Sequence, residues 1–137
     1  MSDEAEEKKT LDPDQENYDH LSRPPHLEAP FDHKLWPAIE AGLKEVYDPE
    51  IPVNVLELGL IYKIEILPEK DGVSDVQVTM SLTSPACPLA HEIPLWVQGA
   101  ILPVEGVQGC EVELVWEPAW NLGMMAETAR MQLNMFM

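Results

Sequence analysis

Apolar residues recur at helical spacing in the segment that follows Lys34. They lie three or four positions apart, as on one face of a helix, at Leu35, Ile39, Leu43 and Val46. Asp32 is a candidate N-cap, and Pro37 fits such a helix if it lies in the first turn. The run "DPEIP" over residues 48–52 is a stop signal, so the pattern predicts a first helix that ends before it.

Three later segments alternate between apolar and polar residues, which is typical of half-buried strands. The apolar positions are Leu56, Leu58, Leu60, Tyr62, Ile64 and Ile66 in the first, Val76, Val78, Met80 and Leu82 in the second, and Cys110, Val112, Leu114 and Trp116 in the third. A short polar loop, "PEKDG", joins the first two segments, so we expect them to form an antiparallel hairpin.

Two further helices are predicted on either side of the third strand. Residues 88–101 have a helical pattern in which Pro94 either introduces a kink or marks a second start. After Asn121, a candidate N-cap, a helical stripe consists of Leu122, Met125, Ala129, Leu133 and Phe136. The order α-β-β-α-β-α predicts an α+β fold, a two-layer domain in which helices pack on a small mixed three-stranded sheet.

Residues 1–33 differ in composition from the rest of the chain. They carry ten acidic residues, three basic residues and four prolines, with few large apolar side chains. Such a segment buries too little apolar surface to offset the conformational entropy lost on ordering. We therefore predict a disordered acidic arm over 1–33 and one folded domain over 34–137.

The charge of the chain limits its classes of partner. With 25 acidic and 8 basic residues the formal net charge is -17, which opposes sequence-independent binding to nucleic acid or to an anionic membrane. No apolar run approaches the roughly 20 residues that span a bilayer, and the N-terminus lacks the apolar segment of a secretory signal. The sequence therefore predicts a cytoplasmic protein whose two cysteines are reduced thiols.

Cys87 is the main candidate for chemistry. It lies between Pro85 and Pro88, in the expected turn from the second strand to the next helix. Pro88 suits the first helical position, which would place the sulfur near a helix N-terminus, where the thiolate is favoured. These residues leave two interpretations open, a positioned reactive thiol or a small buried hydrophobe. Cys110, on an apolar strand face, is predicted to be a core residue.

Other polar residues could share a pocket with this thiol. Thr83 and Ser84 lie where the second strand ends, and His91 lies one helical turn beyond the cysteine. His91 could be a weak second metal ligand, although a solvated surface residue is the commoner role. Asp48 and Glu50 would add carboxylates if the first helix ends beside the thiol, but alone they are ordinary turn residues.

The chain resembles the SufT-type members of the MIP18/PaaD-like family of iron-sulfur assembly domains. Three runs carry the resemblance in order: "YDPEIPVNVLELGLIYKIEI", "VTMSLTSPACPLAHEIP" and "VELVWEPAWNLGMMAETARMQL". The resemblance covers the region from residue 34 to residue 137. It implies a small domain of helices and strands that helps to mature iron-sulfur proteins as a non-enzymatic assembly or targeting factor.

The resemblance also implies roles for particular residues. The family's functional thiol falls on Cys87, and its two acids fall on Asp48 and Glu50. Two positions depart from the family pattern: Glu57 stands where aspartate is common, and His91 stands where a small or acidic residue is expected. The run that distinguishes the SufT branch falls on Trp116, Pro118, Trp120, Met124, Met125 and Glu127.

The tryptophans and methionines of that last run allow two interpretations. They can be core and rim residues of the sheet, or Trp120, Met124, Met125 and Glu127 can form a partner-docking patch.

A complete iron-sulfur cluster normally needs four protein ligands, mostly thiolates. One chain that offers Cys87 and at most weaker ligands cannot enclose a cluster, so we expect no tightly bound cofactor. Iron or an iron-sulfur cluster would be bound transiently, with further ligands from a second copy, a small thiol or a partner. The expected partners are the iron-sulfur assembly machinery and client apoproteins, and an exposed sheet edge is consistent with a homodimer.

Three other functions compete with this interpretation. A thiol enzyme would need an oriented base, and His91 is the nearby candidate without a third group to orient it, so no enzymatic activity is expected. A structural adaptor in a multiprotein complex would bind neither metal nor cluster. A PaaD-like oxygenase accessory protein would usually carry a cysteine-rich tail, which does not follow here. The chain has no G-x-x-x-x-G-K-[ST] loop, so any ATP chemistry would belong to a partner.

Overall fold

The domain combines four α-helices with three β-strands. The computed structural model describes residues 22–49, 51–83 and 92–134, and these counts refer to them. The elements are α1 (Trp36–Leu43), α2 (Val55–Leu58), β1 (Ile61–Ile66), β2 (Ser74–Met80), α3 (Ile93–Ile101), β3 (Val107–Leu114) and α4 (Glu127–Asn134), with a 3₁₀ turn over Leu122–Met124. The α+β class and the predicted order of the longer elements are confirmed, and the one-turn helix α2 is an addition.

The three strands form the mixed sheet that the sequence predicts. Their order is β1-β2-β3, with β1 antiparallel and β3 parallel to β2. A parallel connection needs a crossover, and α3 supplies it. This helix packs against β3 and against α1, where a Cβ on Gly42 would come within 2.8 Å of the carbonyl oxygen of Ala100. Gly42 therefore allows the two helices to approach closely.

The apolar core lies between the helices and one face of the sheet. Helix α1 and helix α3 each contribute one buried stripe, and the strands contribute their inward positions. The buried side chains include Trp36, Ile39, Leu43, Ile64, Val76, Val78, Met80, Ile93, Val97 and Ile101. The opposite face of the sheet is polar and exposed at Glu65, Gln77, Glu111 and Glu113.

Two of the predicted helix starts are wrong. The described part of helix α3 begins at Ile93, with Pro94 in its first turn, and the predicted residues 88–91 lie outside the described residues. Asp32 is not the N-cap of α1, because Leu35 holds that position and its N–H donates to Nδ1 of His33 at 3.0 Å.

The second wrong start concerns the C-terminal helix. Asn121 caps the 3₁₀ turn, where its Oδ1 accepts from the N–H of Gly123 at 2.8 Å, and α4 begins only at Glu127. Leu122, which the sequence pattern places on the buried stripe, is 61% exposed as a result.

The predicted first strand is also too long at its start. Residues 55–58 form α2, because Oδ1 of Asn54 accepts from the N–H of Glu57 at 2.9 Å and Gly59 ends the turn in the left-handed region at a φ of 91°. A bulge between Ile61 and Lys63 then shifts the register of β1. The strict alternation predicted from residue 56 to residue 66 is therefore interrupted twice.

Residues 22–33 belong to the folded domain, which corrects the predicted boundary at residue 34. Leu27 is 7% exposed and joins the core. Glu28 pairs with the edge of β1, since its N–H donates to the carbonyl of Tyr62 at 3.1 Å and its carbonyl accepts from Ile64 at 2.8 Å. The apolar contact and the strand-like pairing together order this segment. The acidic arm stays a prediction for residues 1–21, which lie outside the described residues.

Four consecutive backbone carbonyls, those of residues 57–60, accept hydrogen bonds from four distant segments. We call them the carbonyl cluster. Two donors are backbone N–H groups, one is the indole N–H of a tryptophan, and the fourth is an imidazole nitrogen. That nitrogen must carry the proton, because a carbonyl oxygen can only accept. The pairs are Glu57 with the N–H of Ala126 (2.8 Å), Leu58 with Nε1 of Trp120 (2.8 Å), Gly59 with Nε2 of His26 (3.0 Å) and Leu60 with the N–H of Ser81 (2.9 Å).

The carbonyl cluster depends on the shape of the turn at Gly59. A Cβ at this position would lie 2.4 Å from the carbonyl oxygen of Met124, and the positive φ is itself strained for other residues. Both the backbone conformation and the approach of the C-terminal segment therefore require glycine.

We predict that Gly59→Ala destabilises the domain by more than about 2 kcal/mol, because a backbone clash adds to a left-handed strain of roughly 1–2 kcal/mol. Gly72→Ala is the matched control, since Gly72 has a φ of 85° but a Cβ added there would meet no atom within 4 Å. Urea unfolding of both variants measures the difference. Equal losses would show that the contact with Met124 is unimportant.

Candidate functional site

Asp48 lies at the start of a loop that closes on itself. Its side chain is 4% exposed. Two backbone hydrogen bonds close the loop, from Asp48 to the carbonyl of Val53 (3.3 Å) and from Val55 to the carbonyl of Val46 (2.8 Å). The carboxylate oxygen Oδ1 of Asp48 accepts from the N–H of Ile51 at 3.0 Å, as is common for aspartate in turns. The position of this carboxylate is therefore set by the backbone of its own loop.

Thr83 contacts the second oxygen of the same carboxylate. Its Oγ1 donates to Oδ2 of Asp48 at 3.3 Å, across 35 positions of sequence. Thr83 follows β2, whose end is held by the bond from Ser81 to Leu60 of the carbonyl cluster. The structure thus brings together two of the predicted pocket residues. The predicted site residues Glu50, Ser84, Cys87 and His91 lie outside the described residues.

The contact between Asp48 and Thr83 joins the two loops on which the predicted site depends. The carboxylate of Asp48 links these loops through both of its oxygens. Each of its oxygens holds a different loop, Oδ1 the turn at Ile51 and Oδ2 the end of β2. This arrangement fixes Thr83, from which the chain enters the segment that contains Cys87 four positions later.

Cys110 is a core residue, as the sequence predicts. It is 6% exposed and is a free cysteine. Burial, with a smaller contribution from the charge of Glu111, raises the pKa of its thiol to about 11. At neutral pH it is therefore a neutral thiol, which is neither a good nucleophile nor a metal ligand.

The residues predicted as a docking patch are mostly engaged within the domain. Trp120 is half-buried, with its indole N–H on the carbonyl cluster, and Met124 is half-buried, with Sδ 3.7 Å from Oη of Tyr62. Met125 is 7% exposed and belongs to the core, whereas Glu127 is exposed. Of the two interpretations, these contacts favour core and rim residues for Trp120, Met124 and Met125, and the docking role stays a prediction.

Glu57 is a buried carboxylate whose importance the sequence pattern did not reveal. It is 5% exposed, accepts a short hydrogen bond from Oγ1 of Thr128, and has Oε2 3.9 Å from Nζ of Lys44. It therefore holds α4 against α2. The sequence did contain a signal for the local structure around Glu57: an N-cap residue at Asn54 with an acid three positions later is typical of a helix start.

Neither a metal-binding cluster nor a membrane span occurs in the described ranges. Over residues 22–49, 51–83 and 92–134, no three histidine, cysteine or acidic side chains are grouped so that they could hold a metal ion. In the same ranges, no helix has both the length and the apolar character needed to cross a membrane.

The fold and these motifs match a known family. The model of the family described as "Iron-sulfur cluster assembly protein" matches residues 37–114. This chain belongs to that family. The resemblance to SufT-type, MIP18-like domains is confirmed.

Relatives with described roles and a solved structure support the assignment. A Porphyromonas gingivalis protein named "Fe-S protein maturation auxiliary factor" is 48% identical over 92 residues, covering 67% of this chain and 84% of the relative. The Staphylococcus aureus factor SufT is 35% identical over 89 residues, covering 65% and 97%. A domain of unknown function from Bacillus anthracis has a TM-score of 0.61 at 31% identity, covering 73% of this chain and 92% of that one.

We predict that Cys110 resists alkylation in the folded protein. Its thiol pKa of about 11, against an ordinary value of 9.0, lowers the thiolate fraction about a hundredfold below pH 9, and burial hinders access. Peptide mass spectrometry after iodoacetamide treatment at neutral pH should find Cys110 unmodified in the native protein and modified in urea. Modification of native Cys110 at the rate of an unfolded thiol would contradict its placement in the core.

Proposed function

We propose that this protein is an auxiliary factor in the assembly of iron-sulfur clusters or in their transfer to client proteins, and that Cys87 is its working group. The family membership and the names of the relatives support the general role. The observation that carries the role of the thiol is the contact between Asp48 and Thr83, at the entrance to the segment that contains Cys87. A buried carboxylate is kept there to fix the position of a loop.

The cysteine content supports transient rather than permanent binding. The chain has two cysteines, and Cys110 is a buried neutral thiol. Cys87 is then the one thiolate that the chain can offer, whereas a cluster normally needs four protein ligands. Iron or a cluster bound through Cys87 must complete its coordination with groups from a second copy, a small thiol or a partner. A cluster held in this way can be passed on, so we treat it as cargo.

Asp48 and Thr83 act in this proposal as positioning residues. The hydroxyl of Thr83 ties the end of β2 to the loop of Asp48, so the segment after Thr83 starts from a fixed point. A fixed start reduces the conformational freedom that the segment would lose when the thiol binds iron or meets a client. We propose no catalytic turnover, and the partners are the iron-sulfur assembly machinery and client apoproteins.

We predict that Cys87→Ser abolishes function in cells. In cells that lack this protein, the activity of an iron-sulfur enzyme such as aconitase is compared after restoring the original chain, Cys87→Ser or Cys110→Ala at equal abundance. The serine variant should remain near the level of the deletion, because an alcohol is a poor ligand for iron. Cys110→Ala should rescue, since the proposal gives that thiol no chemical role.

Full rescue by a folded Cys87→Ser chain would reject the thiol as the working group. It would favour the alternative of a structural adaptor that acts only through its docking surfaces. Failure of Cys110→Ala with normal folding would show that the second thiol has a chemical role, against the buried position described above.

A further inference from the structure

Helix α3 is apolar on its exposed side as well as on its buried side. Its sequence, "IPLWVQGAI", contains one polar residue, Gln98, whose side-chain amide donates to the carbonyl of Cys110 at 2.6 Å. Ile93, Val97 and Ile101 are buried in the core. We call the outward side the α3 face: it consists of Leu95 (65% exposed), Trp96 (38% exposed), the exposed Gly99 and Leu102 (42% exposed).

The spacing of these residues makes one continuous stripe. Leu95, Gly99 and Leu102 follow each other at four and three positions, so they lie above one another on the helix surface. A helix that is apolar all round is typical of a fully buried position. An exposed glycine inside a helix lowers stability by roughly 0.5–1 kcal/mol relative to alanine, and a Cβ on Gly99 would meet no atom within 4 Å. The α3 face is therefore open to a close approach from outside the domain.

Acidic residues flank the α3 face along the chain. From residue 92 to residue 105 the chain has two acidic residues and neither lysine nor arginine. Glu92 precedes the helix and Glu105 follows it, and both are exposed. Lys34, which borders the same surface groove as Glu105, is paired with Glu69 at 3.0 Å, so its charge is compensated.

These charges decide which occupant fits the surface. Two copies of this chain, each with a net charge of -17, would bring like-charged rims together, which disfavours association. A partner with apolar side chains surrounded by lysine or arginine would satisfy both the stripe and its rim.

We infer that the α3 face is the docking site for a protein partner that presents apolar side chains ringed by basic residues. Four surface positions cover less than the approximately 800 Å² per partner of a standard stable interface. They would form the apolar centre of a larger polar interface, as is typical of a transient interaction. The inference rests on the proposed function only for the identity of this partner, a client or an assembly protein brought beside the segment that contains Cys87.

The test uses a fluorescent amphipathic helical peptide of leucine and lysine as the probe, and a second peptide with glutamate in place of lysine. Binding to the full chain is measured by fluorescence anisotropy for the original sequence, Leu95→Asn and Leu122→Asn. Leu122 is the matched control, because it is 61% exposed and belongs to the 3₁₀ turn rather than to α3. Neither substitution changes the charge, and both sites are exposed, so both variants should fold.

We expect the lysine peptide to bind the original chain and Leu122→Asn equally, and to bind Leu95→Asn about tenfold more weakly or worse, as for loss of an interface anchor. Added salt should weaken binding, and the glutamate peptide should not bind. Equal affinity for both variants, or equal binding of both peptides, would overturn the inference. A dimer in sedimentation that Leu95→Asn dissociates would also overturn it, since the face would then be a self-interface.

A photo-crosslinking residue at position 95, with position 122 as control, tests the same inference in cells. The partner captured only from position 95 should carry a basic, apolar surface at the crosslinked site, and an acidic one would contradict the inference.

The peptide assay contains no iron and does not involve Cys87. If Leu95→Asn binds the peptide normally and Cys87→Ser fails to rescue cells, the docking site alone is rejected. If peptide binding depends on Leu95 and Cys87→Ser rescues cells fully, the thiol role alone is rejected.

Discussion

The carbonyl cluster of residues 57–60 is the constraint on which the rest of the domain depends. Four successive carbonyls accept hydrogen bonds from the imidazole of His26, from the chain just after β2, from the indole of Trp120 and from the chain just before α4. Four successive acceptors can face four segments only because a one-turn helix is followed by the left-handed turn at Gly59. Each such bond contributes about 0.5–1.5 kcal/mol net, but their shared origin means that one distortion of this turn affects all four segments.

The same turn positions both sides of the candidate site. The carbonyl of Leu60 accepts a hydrogen bond from the N–H of Ser81, two residues before Thr83. The N–H of Val55 donates to the carbonyl of Val46, two residues before Asp48. The bond from Thr83 to Asp48 then forms between two ends that are already fixed. Hydrogen bonds fix the described chain as far as Thr83, and α3, which follows the segment with the thiol in sequence, carries the apolar α3 face between Glu92 and Glu105. This order suits a factor that brings a client or an assembly protein close to a single sulfur ligand.

Periodicity predicted the sheet, the core stripe of α1 and the burial of Cys110, because those patterns report directly on burial. It failed at Leu56 and Leu58, which are buried in a helical turn as completely as they would be in a strand, and at Leu60, which is buried between that turn and β1. There the local signals of Asn54, Glu57 and Gly59 outweighed the alternation. Averaging the composition over residues 1–33 hid Leu27, whose burial orders its segment. The meeting of Asp48 with Thr83 followed only from the family resemblance, since no local pattern relates residues so far apart.

A double-mutant cycle tests most directly whether the contact between Asp48 and Thr83 positions the working thiol. Asp48→Asn, Thr83→Val and the double variant are compared with the original chain, by the iron-sulfur enzyme activity that each restores at equal abundance in cells lacking the protein. If the two residues act through one contact, the double variant should be no worse than Asp48→Asn alone. Losses that multiply in the double variant would show that the two side chains act independently, and the account of the site would be wrong.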